Sequence, residues 1–326
     1  MRTFTHIDAR SIDEACALLG KYKGKALLNA GGTDLLSALK GEILPDYPEV
    51  VINIKTIADL DYIKEDAGTL RIGALARLCD MVKSPLLKER YQVLAKAAHF
   101  VAAPQIRNMA TLGGNLCQEV RCWYYRYPHT IGGPIACLRK GEGSCLAVTG
   151  DNRYHAIMGG RKCFAVCPSD TAVALAALDG EIKTAGPKGE RRIPVTDFFH
   201  PLGNALAEGE MVREIEVPAV TGTPKQTFLK FTLRKPIDFA VVSVATLISL
   251  EGGICTDARI VLGAVAPGPL RAKSAEDILR GRAIDEHTAG KAAEAALSGA
   301  KPLGKNAYKV QIAKTLIKNA LLSRQD

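Results

Sequence analysis

Apolar positions recur along the chain in two rhythms, and the switches between them mark its units. "RSIDEACALLGKYKG" has apolar residues at helical spacing, with Ser11 and Glu14 in capping-box positions and Gly20 and Gly24 available to end the helix. The run "KALLNA" then reads as a strand, "GGTDLLSALKG" as a helix beginning at about Asp34, and "EVVINI" as a second strand. A strand pair follows in "YIKEDAGTLRIGALA", with Ala67-Gly68 as its turn. "LARLCDMVK" and the longer "PLLKERYQVLAKAAHFVA" carry the helical period, and "APQIRNMATLGGNLC" reads as a loop of small residues. Past a cysteine-rich tract the rhythm resumes, with a small-residue helix in "SDTAVALAALDG" and a strand–turn–strand in "GEIKTAGPKGERRIPV". A further unit begins near Thr221, with strands in "TFLKFTLR", "AVVSVATLISL" and "ICTDARIVLGAV". It closes with helices in "SAEDILRG", "EHTAGKAAEAALSG" and "NAYKVQIAKTLIKNALLS". The pattern predicts an α+β chain without internal repeats, divided into 1–220 (parts about 1–55 and 56–220) and 221–326.

Composition narrows the class without naming a function. The 326 residues suit two or three packed units, and 47% hydrophobic with 24% charged residues is ordinary for a globular protein. No apolar run reaches the ~18 residues of a membrane span, and "MRTFTHIDARSIDEACALLG" lacks the zones of a secretory signal. A cytoplasmic location is expected. The formal net charge is +9, but the basic residues are scattered and no nucleic-acid module is recognisable. They read as a solvated surface or as a face for an acidic partner.

Two small-residue loops carry candidate binding chemistry. "NAGGTD" (Asn29 to Asp34) sits at a strand-to-helix junction, where glycines let a backbone approach a ligand and free amides favour an anion such as a pyrophosphate. It is neither the G-x-G-x-x-G fingerprint nor a P-loop, and a plain tight turn explains it equally well. "ATLGGN" (Ala110 to Asn115) is a second such loop, with Thr111 and Asn115 at its hydrogen-bonding ends. Two loops of this kind could hold the ends of an extended dinucleotide.

In order along the chain, "NAGGTDLL", "ATLGGNLC", "PSDTAVALAALDG", "EGEMVREIEVP", "KFTLRKPIDFAVVSVA" and "LGAVAPGPLRAKSAE" resemble the signatures of one family. It is the FAD-binding medium subunit of molybdenum hydroxylases, the group of xanthine dehydrogenase, carbon monoxide dehydrogenase and 4-hydroxybenzoyl-CoA reductase. The resemblance implies two N-terminal FAD-binding α+β subdomains, similar to those of vanillyl-alcohol oxidase, and a C-terminal α+β domain similar to that of CO dehydrogenase flavoproteins. By motif match, Asn29, Ala30, Gly31, Gly32 and Thr33 would cradle the pyrophosphate, with Asp34 beside them. Thr111, Gly113, Gly114 and Asn115 would form the second flavin loop, with Val101 and Gln118 also at the cofactor. Asp170 would bond sugar or ribityl hydroxyls, and Lys230 would sit near the isoalloxazine. Their plain alternatives are a helix N-cap for Asp170 and a surface strand position for Lys230.

The chain departs from the common pattern between Glu119 and Val166, an insertion holding Cys122, Cys137, Cys145 and Cys163. Cys117 and Cys167 bracket it and belong to the common frame. Four thiols suffice for a 4Fe–4S cluster or a structural zinc. Their spacings, with 14, 7 and 17 residues between them, lack the tight pairs of a zinc ribbon and the close run of a ferredoxin, so spacing alone leaves cluster, zinc and structural thiols open. His129 and His155 lie in the same segment, and the aromatics of "RCWYYRYP" could shield a cluster or form a local core. An insertion at this place resembles the 4-hydroxybenzoyl-CoA reductase medium subunit, which implies a 4Fe–4S cluster beside FAD. Cys16, Cys79 and Cys255 read as small buried apolar residues.

The chain shows no catalytic triad, no paired carboxylates, no molybdopterin signature and no 2Fe–2S motif, so no catalytic residue is expected. The resemblance implies an electron-transfer subunit partnered by a molybdopterin-binding large subunit, a 2Fe–2S small subunit and a ferredoxin-like carrier, as a dimer of heterotrimers. The reaction would be reductive dehydroxylation of an aromatic acyl-CoA. The alternatives are a xanthine-dehydrogenase-like or other aromatic hydroxylase and, outside enzymes, a zinc-stabilised flavin- or nucleotide-binding module.

Overall fold

A computed structural model describes residues 1–133, 135–235 and 237–322. Three larger sheets organise them, beside a two-stranded one of Phe199–His200 and Gly203–Asn204. Thr5–Asp8, Val50–Asn53 and Ala26–Asn29 form a parallel sheet in that order, with the helices Ile12–Tyr22 and Leu35–Gly41 as crossovers. Such crossovers place the loops after the strands' carboxyl ends together. The strand Ala26–Asn29 therefore delivers its glycine loop to that edge.

The second sheet is antiparallel, in the order Ile63–Asp66, Thr69–Gly73, Met211–Val217, Glu181–Gly186, Gly189–Pro194. The third runs Lys225–Phe231, Val242–Glu251, Ile254–Gly263, Leu270–Arg271. Between the two lies the helix Asp170–Ala177, buried at all eight positions. Its sequence, "DTAVALAA", has no polar stripe, as expected of a helix covered on every side. It packs on the helix Gln92–His99 and on the strands Val242–Glu251 and Ile254–Gly263. The helix Tyr308–Leu322 covers the third sheet along the strands Lys225–Phe231 and Val242–Glu251. Strand Val242–Glu251 is thus buried at seven consecutive positions, Val242–Ile248, being covered on both faces there, with Ser243 and Thr246 among the buried residues.

Several elements differ from the sequence reading. The first strand, Thr5–Asp8, was not expected. The long helix over 85–102 is two, Pro85–Arg90 and Gln92–His99, divided at Tyr91. The loop "APQIRNMATLGGNLC" contains two short helices, Pro104–Arg107 and Leu112–Leu116. Ser11 caps its helix by accepting from the Glu14 amide, but the Glu14 carboxylate turns to the Arg10 amide, so the box is open on one side. The end of the last expected helix, position 323, lies outside the described residues. Among the described residues no helix is long and apolar enough to cross a membrane.

Candidate functional site

The two glycine loops touch. A Cβ on Gly31 would stand 2.0 Å from the Met109 carbonyl oxygen, and one on Gly113 would stand 2.9 Å from that of Ala74. Only glycine allows these approaches. Gly32 has φ +70, in the region glycine tolerates best. Thr111 caps the helix Leu112–Leu116 by accepting from the Gly114 amide at 3.2 Å. Asn29 Oδ1, beside Gly32, is buried and has no partner; a buried acceptor in that position suits a ligand hydroxyl. Ala30 packs on the N-terminal core, and Thr33 is exposed.

Asn115 ties the second loop to the central helix. Its Oδ1 accepts from Ser169 Oγ at 2.6 Å and Thr171 Oγ1 at 2.7 Å. Ser169, not Asp170, is the cap of that helix, accepting from the Ala172 amide. The Asp170 carboxylate instead pairs with Lys230 Nζ at 2.7 Å, with side chains 6% and 2% exposed. Lys230 Nζ also donates to the Phe100 carbonyl at 2.8 Å, so Lys230 is not a surface strand residue. The neighbouring Val101 carbonyl accepts from Arg107 Nη1. Gln118 Nε2 donates to the Asn115 carbonyl, and its Oε1 accepts from Arg121 Nη2.

Asp34 joins the first loop to the insertion. Its carboxylate accepts from the Glu119 amide at 2.8 Å, from Arg126 Nη2 at 2.6 Å and from Arg121 Nη1. Burial pushes this carboxyl up, yet the two guanidinium charges outweigh it and hold it below the usual carboxylate range. The sequence signal for this clamp was two arginines inside an aromatic run, "RCWYYR", where neither has a structural reason to be apolar.

Two cavities lie against the segment Cys167–Pro168 that leads into the central helix, and neither is lined by the glycine loops themselves. One, of about 450 Å³, is lined by Arg121, Cys122, His155, Asp170, Phe239 and Ser243, among others. The second, of about 320 Å³, is lined by Leu27, Leu116, Cys117, Gln118 and Phe199, among others. Cys167 and Pro168 line both, so an extended molecule could cross from one to the other. Arg121 Nε, His155 Nδ1 and Ser243 Oγ are buried without partners, and all three residues belong to the larger cavity. Unpartnered polar atoms around one space fit a polar ligand rather than a dry void.

Between Glu119 and Val166 the described chain has one four-residue helix, His129–Gly132, one 3₁₀ turn, Leu138–Lys140, and no strand. Val120, Tyr125, Cys163 and Ala165 form a small apolar cluster with Ala38 and Ile43. The aromatic run also gathers locally: Trp123 meets Tyr154 and His155 edge-on, with centroids 5.6 and 5.7 Å apart. All nine cysteines are free.

The four insertion thiols fall in one neighbourhood. Cys145 and Cys163 are hydrogen-bonded to each other, and the Cys122 thiol feels Cys137 and Cys145. The bond from Cys163 lowers the Cys145 thiol to about 6, helped by the amides of Phe164, Ala147 and Val148 against burial. That bond and burial raise Cys163. Burial raises Cys122, although the Tyr125 and Tyr124 amides point to it. Amides aimed at sulfur are the surroundings a thiolate ligand needs. No group of three or more His, Cys, Asp or Glu among the described residues converges as a single metal ion requires. Burial pushes Cys167 up to about 12, so it stays a thiol. His129 Nε2 stands 2.9 Å from Lys140 Nζ, whereas His155 Nε2 stands 3.2 Å from Cys122 Sγ. Of the thiols expected to be buried, Cys16 and Cys255 are, while Cys79 is partly exposed.

The three larger sheets and the paired glycine loops match a flavoprotein of the molybdenum hydroxylase class. Residues 2–220 match the model described as the FAD binding domain in molybdopterin dehydrogenase, and 227–323 match the CO dehydrogenase flavoprotein C-terminal domain. The chain belongs to this family and binds FAD. It is 34% identical to the FAD-binding subunit PaoB of the aldehyde oxidoreductase of Escherichia coli (strain K12), over 98% of both chains. It is 28% identical to the nicotinate dehydrogenase FAD-subunit of Eubacterium barkeri, over 88% of this chain and 83% of that one. A solved carbon monoxide dehydrogenase from Hydrogenophaga pseudoflava superimposes with a TM-score of 0.79 at 28% identity, covering 100% of this chain and 99% of that one.

Proposed function

We propose that this chain is the electron-transfer subunit of a molybdenum enzyme. It would hold FAD on the two glycine loops and a 4Fe–4S cluster on Cys122, Cys137, Cys145 and Cys163. One observation carries the reading: Cys122 lines the same cavity as Asp170, so one of the insertion's thiols and the expected flavin-side carboxylate share one space. When bound, the cluster supplies one-electron chemistry and FAD one- or two-electron chemistry.

The chain's own residues bind and orient. The loop amides at Gly31–Thr33 offer donors to a pyrophosphate, and Asn29 Oδ1 offers an acceptor, while the Gly113 and Gly114 amides are taken by the Ala74 carbonyl and Thr111 Oγ1 and so shape the second loop rather than bind through it. Asp170 is fixed by Lys230 and cannot swing out of the cavity wall without leaving a buried ammonium unpaired. Asp34, through Arg121 and Arg126, locks the thiol-bearing segment onto the pyrophosphate loop.

Partners follow from the same reading: a molybdopterin-binding large subunit, a 2Fe–2S small subunit and a ferredoxin-like carrier, assembled as a dimer of heterotrimers. The cysteine insertion supports the aromatic acyl-CoA dehydroxylase type, with electrons flowing inward. A second reading has its own support: the relatives are named for aldehyde and nicotinate oxidation, which favours outward flow. The test is anaerobic purification with the native partners, followed by stopped-flow absorbance of the flavin. Bleaching by an aromatic aldehyde selects the oxidising type. Re-oxidation of the pre-reduced complex by 4-hydroxybenzoyl-CoA selects the dehydroxylase. Purification without partners or without iron rejects the relay, and one zinc per chain selects the metal-stabilised module instead.

A further inference from the structure

Among the described residues, His155 is the side chain that touches a proposed cluster ligand through a polar atom and also lines the cavity shared with Asp170. Its Nε2 lies 3.2 Å from Cys122 Sγ, a contact distance for an N–H···S hydrogen bond. A thiolate bound to iron can only accept. The contact is then favourable only with the proton on Nε2, which leaves Nδ1 as the unprotonated nitrogen of a neutral ring. Nδ1 is buried and has no partner, so nothing in the protein draws the proton to that side.

The backbone that carries this ring is held from outside the insertion. The His155 carbonyl accepts from Asn306 Nδ2 at 3.1 Å and from Lys309 Nζ at 3.0 Å, both near the start of the C-terminal helix. The His155 amide donates to the Asn152 carbonyl, and Asn152 Oδ1 accepts from the Lys305 amide. Trp123 supports the ring edge-on at 5.7 Å. The C-terminal domain therefore aims an imidazole at a thiol that the insertion supplies.

We propose that His155 is a positioning residue that donates Nε2–H to the Cys122 thiolate and so raises the reduction potential of the cluster. The inference rests on the proposed cluster. A hydrogen bond to a ligating sulfur withdraws charge from it and favours the reduced, more negative state.

The test is a redox titration of the anaerobically purified complex by low-temperature EPR, with the flavin potential followed in parallel. In His155→Leu the cluster should remain complete, and its reduced-to-oxidised ratio at fixed ambient potential should fall about tenfold, a shift of 59 mV for one electron. His155→Gln, which keeps an N–H donor, should recover part of the shift, and the flavin potential should not move. A complete cluster at unchanged potential in His155→Leu overturns the inference, as does loss of one iron to give a three-iron signal, which would make His155 a ligand. If His155→Leu does not accumulate, Asn306→Ala replaces it, with a smaller shift in the same direction expected and an unchanged potential overturning the proposal. A wild-type complex with no cluster signal removes the reading beneath it, a result distinguishable from a cluster present at unshifted potential.

Discussion

The flavin-binding frame and the cysteine insertion are held together by different forces. In the frame, helix Asp170–Ala177 and the strands around it bury contiguous apolar side chains, and one hydrophobic cluster runs from Leu70 to Val261. In the insertion, burial is sparse, and order comes from polar contacts that reach elsewhere. Asp34 clamps the start of it, Trp123 Nε1 donates to the Asp151 carbonyl, and Asn306 and Lys309 hold its end. Apolar burial specifies a fold without any ligand. A segment of turns tied by hydrogen bonds has less to fold on, and a metal bound to its thiols would supply the remainder.

The contrast can be broken first in the frame. Asp170→Asn leaves Lys230 buried without its counter-charge and should cost about 3–5 kcal/mol of unfolding free energy, read by denaturant titration. An effect below about 1 kcal/mol would show that the pair is not as closed as it stands here. Gly31→Val drives a side chain into the Met109 carbonyl, which belongs to backbone and cannot yield cheaply. We expect about 1–3 kcal/mol of destabilisation and at least a tenfold loss of FAD per chain. Full FAD occupancy in that variant would dissociate the loops from the cofactor.

The seam between the two regions gives smaller effects. Asp34→Asn weakens the clamp on Arg121 and Arg126 and should cost about 1–2 kcal/mol. The loss should appear as protease cleavage within 119–166 rather than as a lower melting temperature of the frame. Lys309 adds a pH signature. Burial lowers its ammonium to about 7 from the ordinary 10.5, and among the described residues it donates to the carbonyls of Ala264, His155 and Tyr154. Between those values the unfolded chain binds more protons than the folded one, so this group's contribution to stability rises with pH and is lost as pH falls through about 7. Wild type should therefore gain on Lys309→Met between pH 7 and 9. A constant difference would mean that Lys309 stays an ammonium in the folded protein over that range, its titration not lowered by burial.

Much of the frame was legible because its elements are long and periodic. The strands of the third sheet and the helix Asp170–Ala177 follow directly from apolar runs. The four-residue strand Thr5–Asp8 was missed because "THID" shows a burial pattern with no buried residue. Two short helices hid in a stretch of small residues for the same reason: a single turn carries no period. Both glycine loops were legible as motifs, but their mutual contact through Gly31 and Met109 joins positions far apart in sequence. The Asp170–Lys230 pair was legible only as two separate residues, and local helix chemistry suggested a cap where Ser169 is the cap. The clamp on Asp34 and the hold of Asn306 on His155 are long-range polar contacts, which leave no pattern within any one segment.

The central claim is that the insertion's four thiols, and not the bracketing pair, hold iron. Iron and acid-labile sulfide should be counted in the anaerobically purified wild type, in Cys163→Ala and in Cys167→Ala. The account predicts about four iron and four sulfide per chain in wild type, nearly the same in Cys167→Ala, and loss of most of both in Cys163→Ala. Iron retained in Cys163→Ala and lost in Cys167→Ala, or zinc in place of iron in the wild type, would contradict it.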